Sequence, residues 1–406
     1  MMSDQSLPTD FVFVGIQSWD LSFGGNAKDM AHELSKTGRV LYINPPLDRI
    51  TTFRKRKLLR PQERPHPVGY LRQVTNTLWV LYPRVTLESI NWLPDSFVYD
   101  YLNRLNNQRL ARSIRWGMNQ LAFGRFTLFN DSDMIRSFYL KEMLAPQRHV
   151  YYTRDNLMAV DYWKKHGHRL ESGLMQKVDL VVSNSAYLAR LANQHNPHAV
   201  DIGQGCDFTQ FDALTNHSLP NDLKSIAYPR IGYIGSLNAS RLDINWLLSV
   251  AQHCSDWNVL LIGPQDDTFQ KSSLHSLANV HFLGAKLMEE LPAYVQHLDV
   301  AINPQQLNEL TIGNYPRKVD EYLAMGKPVV ARQTETMRFF SDYVILAETC
   351  EQFIAGIEKV LNNELSASSE ACIEFAHQHT WAQSVAKLVE ALERVSPRRF
   401  VPVNSL

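Results

Sequence analysis

The residues of this chain best suited to chemistry lie in the stretch 314–331, which predicts a short helix between a loop and a buried strand. Pro316 suits the first position of that helix, and Gly326 suits the position just past its end. Lys318 and Glu321 lie three residues apart, so both side chains share one helix face near the N-terminus. A lysine beside free backbone N–H groups can bind a phosphate, and a carboxylate one turn further could accept hydrogen bonds from a ribose diol. The alternative is an exposed helix in which the two side chains form an i,i+3 ion pair.

The composition bounds the class of protein. With 406 residues the chain is too long for one hydrophobic core, which predicts two domains. Hydrophobic residues make up 45% and charged residues 20%, as in a soluble globular protein. The formal net charge is zero, so no overall field marks a nucleic-acid binder, and we expect no nucleic-acid partner.

Cysteine usage and hydropathy indicate a compartment. The cysteines, Cys206, Cys254, Cys350 and Cys372, are widely spaced and include no C-x-x-C pair. They are typical of buried free thiols in a reducing compartment, not of a disulfide framework or a zinc site. The first residues lack the basic and apolar regions of a signal peptide, and no run approaches the roughly 18 apolar residues that span a bilayer. We therefore expect a cytoplasmic protein without a metal site.

The first half of the chain reads as alternating strands and helices. Residues 11–15 predict a buried strand, residues 26–36 a helix, and residues 38–46 the next strand with its stop. This βαβ unit predicts a parallel sheet with a right-handed crossover. Gly24 and Gly25, in the loop before the helix, could let a substrate approach the backbone or merely let the chain turn.

Polar residues follow two further predicted strands, at 126–130 and 149–152. The carboxyl ends of strands in a parallel sheet line the ligand crevice, which makes Asp155 the leading ionisable candidate in this half. Helix capping explains Asp131 or Asp155 at least as well.

The segment 49–64 carries a strong local excess of positive charge, interleaved with apolar residues. It could lie on anionic lipid with its apolar side chains in the interface, or it could be a solvated loop. The cations that would meet the membrane are Arg54, Lys55, Arg56 and Lys57. Nucleic acid is disfavoured because the segment is short and no recognised nucleic-acid module accompanies it.

A second series of strands and helices follows residues 212–229, which lack periodicity and are interpreted as an interdomain linker. Its predicted strands lie at 230–235, 258–264, 280–284, 300–304 and 328–331. Two such runs predict an α/β protein of two doubly wound, Rossmann-like domains facing a cleft. The predicted divisions are an N-terminal domain at 1–215, a C-terminal domain at 216–375, and a helical tail at 376–406 that packs back towards the N-terminal domain.

Several of these elements resemble, in order and spacing, the donor domain of a GT-B glycosyltransferase. They are Gly232-Tyr-Ile-Gly-Ser, Leu261-Ile-Gly-Pro, Val280-His-Phe-Leu-Gly and Asp299-Val-Ala-Ile-Asn-Pro. The stretch from Pro316 to Ala331 resembles the signature of the retaining group 1 (family four) glycosyltransferases. The resemblance covers about residues 228–395, whereas the N-terminal half matches only in plan.

The resemblance implies a donor site. Glu321 is similar to the family's ribose-binding carboxylate, and Lys318 would hold the donor phosphate with the helix N-terminus. Arg241, in the first loop of this domain, would also meet the nucleotide diphosphate. The residues that would contact the donor are Gly235, Ser236, Gly263, Pro264, Thr311, Asn314, Lys318 and Glu321.

One position departs from the family pattern. The family often has a second glutamate eight residues before the ribose carboxylate, and that place is Gly313 here. Glu309 is displaced from it by four residues. The loop 309–314 offers backbone N–H groups, Thr311 or Asn314 in its place.

The chemistry that the resemblance implies is transfer of a sugar from a nucleotide-sugar to a glycolipid or polysaccharide acceptor, with retention and without a metal. A departing diphosphate needs cations and N–H dipoles, which Lys318, Arg241 and the helix end can supply. A retaining enzyme needs no separate protein base. An inverting one would use Asp20 or Asp155, and Asp155 is therefore kept as a candidate catalytic residue.

Two alternatives stay open: a GT-B nucleotide-sugar epimerase, and a GT-B protein that binds a nucleotide without catalysis. The expected partners are a nucleotide-diphosphate sugar, a glycan or lipid-linked acceptor and, through the basic segment, an anionic membrane surface. Asp20, Gly24 and Gly25 would lie on the acceptor side. The nucleotide-sugar is a substrate, so no cofactor is expected. The expected location is cytoplasmic, on the inner face of the plasma membrane if the basic segment binds lipid.

Overall fold

The computed structural model describes residues 10–21, 25–55, 70–83, 85–364 and 367–395. By internal contacts the chain forms two compact units, one of residues 1–203 with 384–406 and the other of residues 204–383. Each unit is built on its own, mainly parallel sheet. The prediction of two doubly wound α/β domains is confirmed. The predicted divisions fell after residues 215 and 375, whereas contacts divide the chain after 203 and 383.

The first unit contains an eight-stranded sheet in the order β3-β4-β2-β1-β5-β6-β7-β8. Its strands are β1 (Asp10–Gly15), β2 (Arg39–Ile43), β3 (Tyr70–Gln73), β4 (Leu78–Tyr82), β5 (Phe126–Asp131), β6 (Arg148–Thr153), β7 (Leu180–Ser183) and β8 (Ala199–Asp201). All neighbours are parallel except β3 and β4, which are antiparallel. The inner strands are buried along their length, which explains the apolar runs that predicted them. The edge strands β3 and β8 are partly exposed, lack such runs, and were missed.

Helices pack on this sheet in separate apolar clusters. Leu110 and Ile114 of one helix pack with Val12 of β1, whereas Leu170 and Leu174 of another belong to a second cluster. The helices of this unit are α1 (Asn26–Leu34), α2 (Arg49–Lys55), α3 (Phe97–Gln120), α4 (Leu140–Leu144), α5 (Asp161–Lys177) and α6 (Ala186–Asn193).

The second unit contains a six-stranded parallel sheet in the order β11-β10-β9-β12-β13-β14. Its strands are β9 (Arg230–Ile234), β10 (Asn258–Ile262), β11 (Val280–Gly284), β12 (Val300–Asn303), β13 (Val329–Arg332) and β14 (Ile345–Ala347). Its helices are α7 (Ile244–His253), α8 (Asp267–Gln270), α9 (Leu291–Gln296), α10 (Arg317–Ala324), α11 (Cys350–Leu361) and α12 (Ser369–His377). The last helix, α13 (Trp381–Arg394), begins in this unit and continues into residues counted with the first.

The helix α10 is held to the sheet by an apolar stripe and by a hydrogen bond from β9 to Tyr322. Val319, Leu323 and Ala324 are fully buried in the core of this unit. The Tyr322 hydroxyl accepts a hydrogen bond of 2.8 Å from the backbone N–H of Ile234 in β9. These contacts fix the start of α10 close to the carboxyl end of β9.

Residues 212–229 are not a linker, so this interpretation is wrong. They lie within the second unit, and Leu223 and Ile226 are buried in its core. The Arg230 guanidinium donates to the carbonyl oxygens of Leu223 and Ile226 at 2.9 and 2.7 Å. An irregular segment can thus be part of a core when a side chain forms hydrogen bonds with its backbone carbonyl groups. Such hydrogen bonds produce no periodic pattern in the sequence.

The four cysteines are free, as predicted. Cys206 and Cys372 are buried, and Cys254 and Cys350 are partly buried.

Glu171 gives the first unit a pH-dependent stability. The Tyr151 hydroxyl donates a hydrogen bond of 2.7 Å to this carboxylate, and burial raises the pKa of Glu171 to about 7 from 4.5. The folded state therefore retains a proton that the unfolded chain releases between about pH 4.5 and 7, so stability falls as the pH rises through that window.

We expect Glu171→Gln to raise the free energy of unfolding at pH 8 by about 1–3 kcal/mol, because the amide stays neutral and still accepts from Tyr151. At pH 5 the gain should be much smaller. Urea denaturation at both pH values measures it, with the exposed Glu393→Gln as control. An equal gain at both pH values would contradict the assignment.

Candidate functional site

Residues predicted to bind a donor meet at the carboxyl ends of β9 and β10. Gly235 directly follows β9, and Gly263 directly follows β10, its neighbour in the sheet. The backbone N–H of Gly235 donates to the carbonyl oxygen of Ile262 at 2.8 Å, and that of Leu237 donates to Pro264 at 2.8 Å. The two loops are therefore held side by side by their backbones.

Glycine is required at both turns. Gly263 has φ +147°, and a Cβ built there would lie 1.9 Å from the carbonyl oxygen of Gly235. Gly235 has φ +144°, and a Cβ there would lie 2.9 Å from Nζ of Lys318. Because glycine has no side chain, the two strand ends can approach closely and the amine of Lys318 can reach the backbone at Gly235.

Lys318 is directed at the end of β9. Its Nζ donates a hydrogen bond to the Tyr233 hydroxyl and lies 4.1 Å from the centroid of that ring. Tyr233 is a buried residue of β9, so the ammonium group has a fixed seat on an aromatic face. This seat places a cation at the first turn of α10, where backbone N–H groups also favour an anion.

Glu321 forms its ion pair with Arg317 and not with Lys318, the partner in the i,i+3 ion pair considered above. Arg317 Nε donates to Glu321 Oε1 at 3.1 Å, an i,i+4 pair. Lys318 contacts Tyr233, so the i,i+3 ion pair between Lys318 and Glu321 does not form. The cation and the carboxylate of α10 are therefore oriented separately.

The helix ends differ slightly from the prediction. α10 begins at Arg317, and Pro316 is its N-cap instead of its first residue. Gly326 has φ +65° just past Ala324 and Met325, which confirms it as the residue that ends the helix.

The loop after β12 is tied to the loop after β9. The carbonyl oxygen of Arg241 accepts from the backbone of Gln306 at 2.8 Å, and Asn308 Nδ2 donates to the carbonyl oxygen of Ser240 at 2.8 Å. Ser236, in the same β9 loop, is exposed. The predicted loop residues are thus part of one connected surface.

In the loop 309–314, where Gly313 replaces the glutamate often found in the family, Thr311 and Asn314 have structural roles. Thr311 is buried, and its hydroxyl bonds to the carbonyl oxygen of Gln306, which orders the loop. The backbone N–H of Asn314 donates to the Thr311 carbonyl oxygen at 3.0 Å. Gly313 is buried and Glu309 is exposed.

In the first unit, Asp20 lines a pocket of about 390 Å³. Its Oδ1 accepts from the Tyr82 hydroxyl at 2.9 Å and from Arg72 Nη1 at 3.4 Å. Burial and the neighbouring Asp20 carboxylate raise the pKa of Tyr82. The Tyr82 phenol therefore stays a donor to this carboxylate at neutral pH.

Asp155 and Asp131 share one arginine. Arg154 lies 3.4 Å from Asp155 and 2.8 Å from Asp131. The residue that precedes α5 as its N-cap is Val160, so the capping role suggested for Asp155 is wrong. The carboxylates of this strand end are instead held in ion pairs.

The same strand end contains an Asp-x-Asp sequence, formed by Asp131 and Asp133. Asp133 pairs with Arg136 at 2.8 Å, so each carboxylate of this sequence has an arginine partner. No three His, Cys, Asp or Glu side chains among the described residues are grouped so that they could hold a metal ion.

The remaining predicted residues lie elsewhere in the first unit. Gly25 precedes α1, and a Cβ there would lie 1.8 Å from Nε2 of Gln17, the movable end of a flexible side chain. Gly24 lies outside the described residues. Arg54 is an exposed residue of α2. The side chain of Lys55, and Arg56 and Lys57 altogether, also lie outside them. No helix in the described part of the chain is both long and apolar enough to cross a bilayer.

Several side-chain partners of the residues on α10 were not predicted from the sequence. Tyr233 and Arg317 position Lys318 and Glu321, and only Arg317, four residues before Glu321, had a readable spacing. Asp320 was also missed. It is fully buried, its Oδ1 lies 2.9 Å from His379 Nδ1, and burial raises its pKa.

Comparisons with known proteins find a family model that matches part of the second unit. Residues 228–363 match the family model described as glycosyl transferases, group 1. TuaH of Bacillus subtilis (strain 168) is 29% identical to this chain over 226 residues. Its name describes it, provisionally, as a glycosyltransferase of teichuronic acid biosynthesis. That alignment covers 51% of this chain and 54% of TuaH, so this chain spans about half the length of the curated relative it matches.

Solved structures share the fold. A UDP-forming α,α-trehalose-phosphate synthase from Burkholderia vietnamiensis superposes with a TM-score of 0.70 at 12% identity, covering 96% of this chain and 98% of that one. HepE of Anabaena in complex with UDP-glucose gives 0.63 at 14%, covering 95% and 100%. Sucrose-phosphate synthase from Thermosynechococcus elongatus gives 0.66 at 13%, covering 95% and 98%. At such identities the likeness shows the fold alone, and it confirms the GT-B prediction.

The close approach of the two strand ends predicts a steep cost at one glycine. Gly263→Ala should destabilise the protein by more than about 3 kcal/mol, because its Cβ would overlap a backbone oxygen. Gly284→Ala is the matched control. Gly284 also has a positive φ, +71°, but nothing lies within 4 Å of its Cβ position, so only about 1–2 kcal/mol of backbone strain is expected. Urea denaturation compares the two, and equal costs would contradict the packing argument.

Proposed function

Starting from the group 1 glycosyl transferase domain at residues 228–363, we propose that this chain transfers a sugar from a nucleotide-sugar to a glycan or lipid-linked acceptor. The observation that carries the proposal is the seat of Lys318 on Tyr233 and Gly235, at the first turn of α10. A cation fixed there beside backbone N–H groups suits the diphosphate of a donor.

The donor binds through two separately oriented groups. Lys318 and the helix N-terminus neutralise the diphosphate, whose charge grows as it leaves, and electrostatic stabilisation of that kind is usually the largest contribution to catalysis. Glu321, held by Arg317, accepts hydrogen bonds from the ribose hydroxyls. Arg241 and the β9 loop complete the diphosphate contacts.

The transfer proceeds with retention and without a metal. The bond between the anomeric carbon and the phosphate oxygen breaks, and the acceptor oxygen bonds to the same face of that carbon. The acceptor proton passes to the departing phosphate oxygen, so no protein base is needed. Asp20 and Asp155 then act by orienting the acceptor, each held by its arginine.

The relatives suggest which substrates to test. The HepE structures contain UDP and UDP-glucose, which makes uridine diphosphate sugars the first donors to examine. The name of TuaH concerns teichuronic acid biosynthesis, which favours an acceptor in cell-envelope polysaccharide assembly. We place the protein at the cytoplasmic face of the membrane, with Arg54, Lys55, Arg56 and Lys57 on anionic lipid.

Replacing Lys318 tests the phosphate role. A thermal-shift panel of ADP, GDP, UDP and CDP identifies the stabilising nucleotide, and its sugars are then assayed for transfer. Lys318→Ala should lower kcat about 100- to 1,000-fold, because the ammonium group that stabilises the negative charge on the departing diphosphate is lost. Lys359→Ala, an exposed lysine of α11, is the control. Unchanged transfer by Lys318→Ala would refute the proposed site.

Replacing Glu321 tests the ribose role. The wild type should bind the chosen nucleoside diphosphate about 10- to 100-fold more tightly than its 2′,3′-dideoxy analogue, since hydrogen bonds to a carboxylate contribute about 1.5–3 kcal/mol. Glu321→Gln should lose most of that preference, because it weakens binding of the nucleotide that has both ribose hydroxyls and leaves binding of the dideoxy analogue unchanged. Isothermal titration measures it, with exposed Glu351→Gln as control. A preference retained in Glu321→Gln would assign the ribose to another residue.

A further inference from the structure

We propose that an exposed apolar surface of the first unit docks on an anionic lipid bilayer and brings the pocket that it borders to the membrane. The inference deepens the membrane location in the proposed function, on which it rests. The surface, here called the aromatic rim, consists of Ile50, Phe53, Trp92 and Tyr162.

The rim side chains point away from the core. Phe53 is 83% and Trp92 68% exposed, and Ile50 and Tyr162 are exposed as well. They come from three elements: α2, the connection between β4 and α3, and the start of α5. Contiguous exposed apolar groups of this size mark an interaction surface, whereas single ones need no explanation.

Hydrogen bonds join the three elements into one surface. The backbone N–H of Ile50 donates to Ser89 Oγ at 3.1 Å, and Trp92 Nε1 donates to the carbonyl oxygen of Ser89 at 2.8 Å. Asn91 Nδ2 donates to the carbonyl oxygen of Tyr162 at 3.0 Å. The indole of Trp92 is therefore held in place while its ring remains in solvent.

The rim borders a pocket of about 590 Å³, which Ile50, Trp92 and Tyr162 help to line. The rest of its lining is mixed: polar residues such as Asp48, Asn91 and Arg136 alternate with apolar ones such as Ile16, Leu87 and Ile135. Asn103 is fully buried there, and its Nδ2 has no hydrogen-bond partner among the described residues. A buried amide without a partner indicates a place for a polar ligand or water. A pocket that mixes apolar walls with polar groups suits a site that opens at the boundary between lipid headgroups and acyl chains.

The charges around the rim favour a bilayer over a protein partner. Arg54, Lys164 and Lys165 are exposed, and the segment 49–64 contains seven Lys and Arg residues against one Glu. Aromatic side chains among lysines and arginines are typical of membrane interfaces, whereas protein interfaces are depleted in lysine.

The neighbouring acidic groups are partly neutralised. Asp95 and Asp100 both pair with Arg169, at 2.5 and 2.9 Å, so one of their two negative charges is compensated. Phe97, 85% exposed, and Tyr101 lie one turn apart at the start of α3, a few residues after Trp92.

Vesicle binding tests the proposal. Wild-type protein should sediment with vesicles of phosphatidylcholine and phosphatidylglycerol, and much less with phosphatidylcholine alone. Phe53→Ser with Trp92→Ser should weaken binding to the anionic vesicles at least about tenfold, since interfacial affinity scales with inserted apolar area. Leu214→Ser, at a 95% exposed leucine of the second unit, should bind as the wild type does.

Two further measurements locate the contact. Brominated lipids should quench a part of the tryptophan fluorescence that Trp92→Phe removes. Combined Arg54→Ala, Lys55→Ala, Arg56→Ala and Lys57→Ala should reduce binding and its dependence on salt. If the charge variant loses binding while the rim variant and Trp92→Phe behave as wild type, the basic segment alone contacts lipid and the rim inference is overturned.

Nucleotide binding separates this inference from the proposed function. The rim variant should show the same nucleotide-induced thermal shift as wild type, which also confirms that it folds. Wild type that is stabilised by a nucleoside diphosphate but ignores all vesicles would overturn the docking surface and leave the donor site intact. Vesicle binding without any nucleotide shift would instead contradict the glycosyltransferase proposal.

Discussion

The proposed donor site depends on one close backbone approach, where Gly263 packs against the carbonyl oxygen of Gly235. Because neither position has a side chain, the ends of β9 and β10 touch, and space remains above Gly235 for the ammonium group of Lys318. The Tyr322 hydroxyl then ties α10 to Ile234, directly before that turn. The cation, the helix start and the glycine loops are thus held by the backbone of the sheet together with the buried side chains of Tyr233 and Tyr322.

The first unit achieves a similar placement with ion pairs. At the ends of β5 and β6, Arg154 joins Asp131 and Asp155, and Asp133 is paired with Arg136. Buried carboxylates are costly unless they are paired, so the arginines allow several acidic groups to follow neighbouring strands. This strand end is therefore preorganised for polar ligands, although its charges nearly cancel.

The sequence allowed the prediction of most strands because a parallel sheet buries each inner strand on both faces and so requires apolar runs. The family resemblance implied that Gly235, Gly263 and Lys318 belong to one donor site, and the structure brings the two glycine turns and the lysine amine together. The sequence did not predict which partner each side chain would take. Tyr233 and Lys318 are 85 residues apart, and no spacing rule connects them. The segment 212–229 was misinterpreted for a related reason, because Arg230 satisfies its backbone through contacts without a periodic pattern.

The buried carboxylate of Asp320 limits how the second unit could be divided. Asp320 lies in α10, but its partners are His379, at 2.9 Å, and the thiol of Cys206, at 3.6 Å. Both partners lie outside residues 228–363, the region that matches the group 1 family model. A fragment with those limits would lose the histidine and thiol partners of this carboxylate, at a cost of about 1–3 kcal/mol. The unit of homology is therefore smaller than the unit that folds.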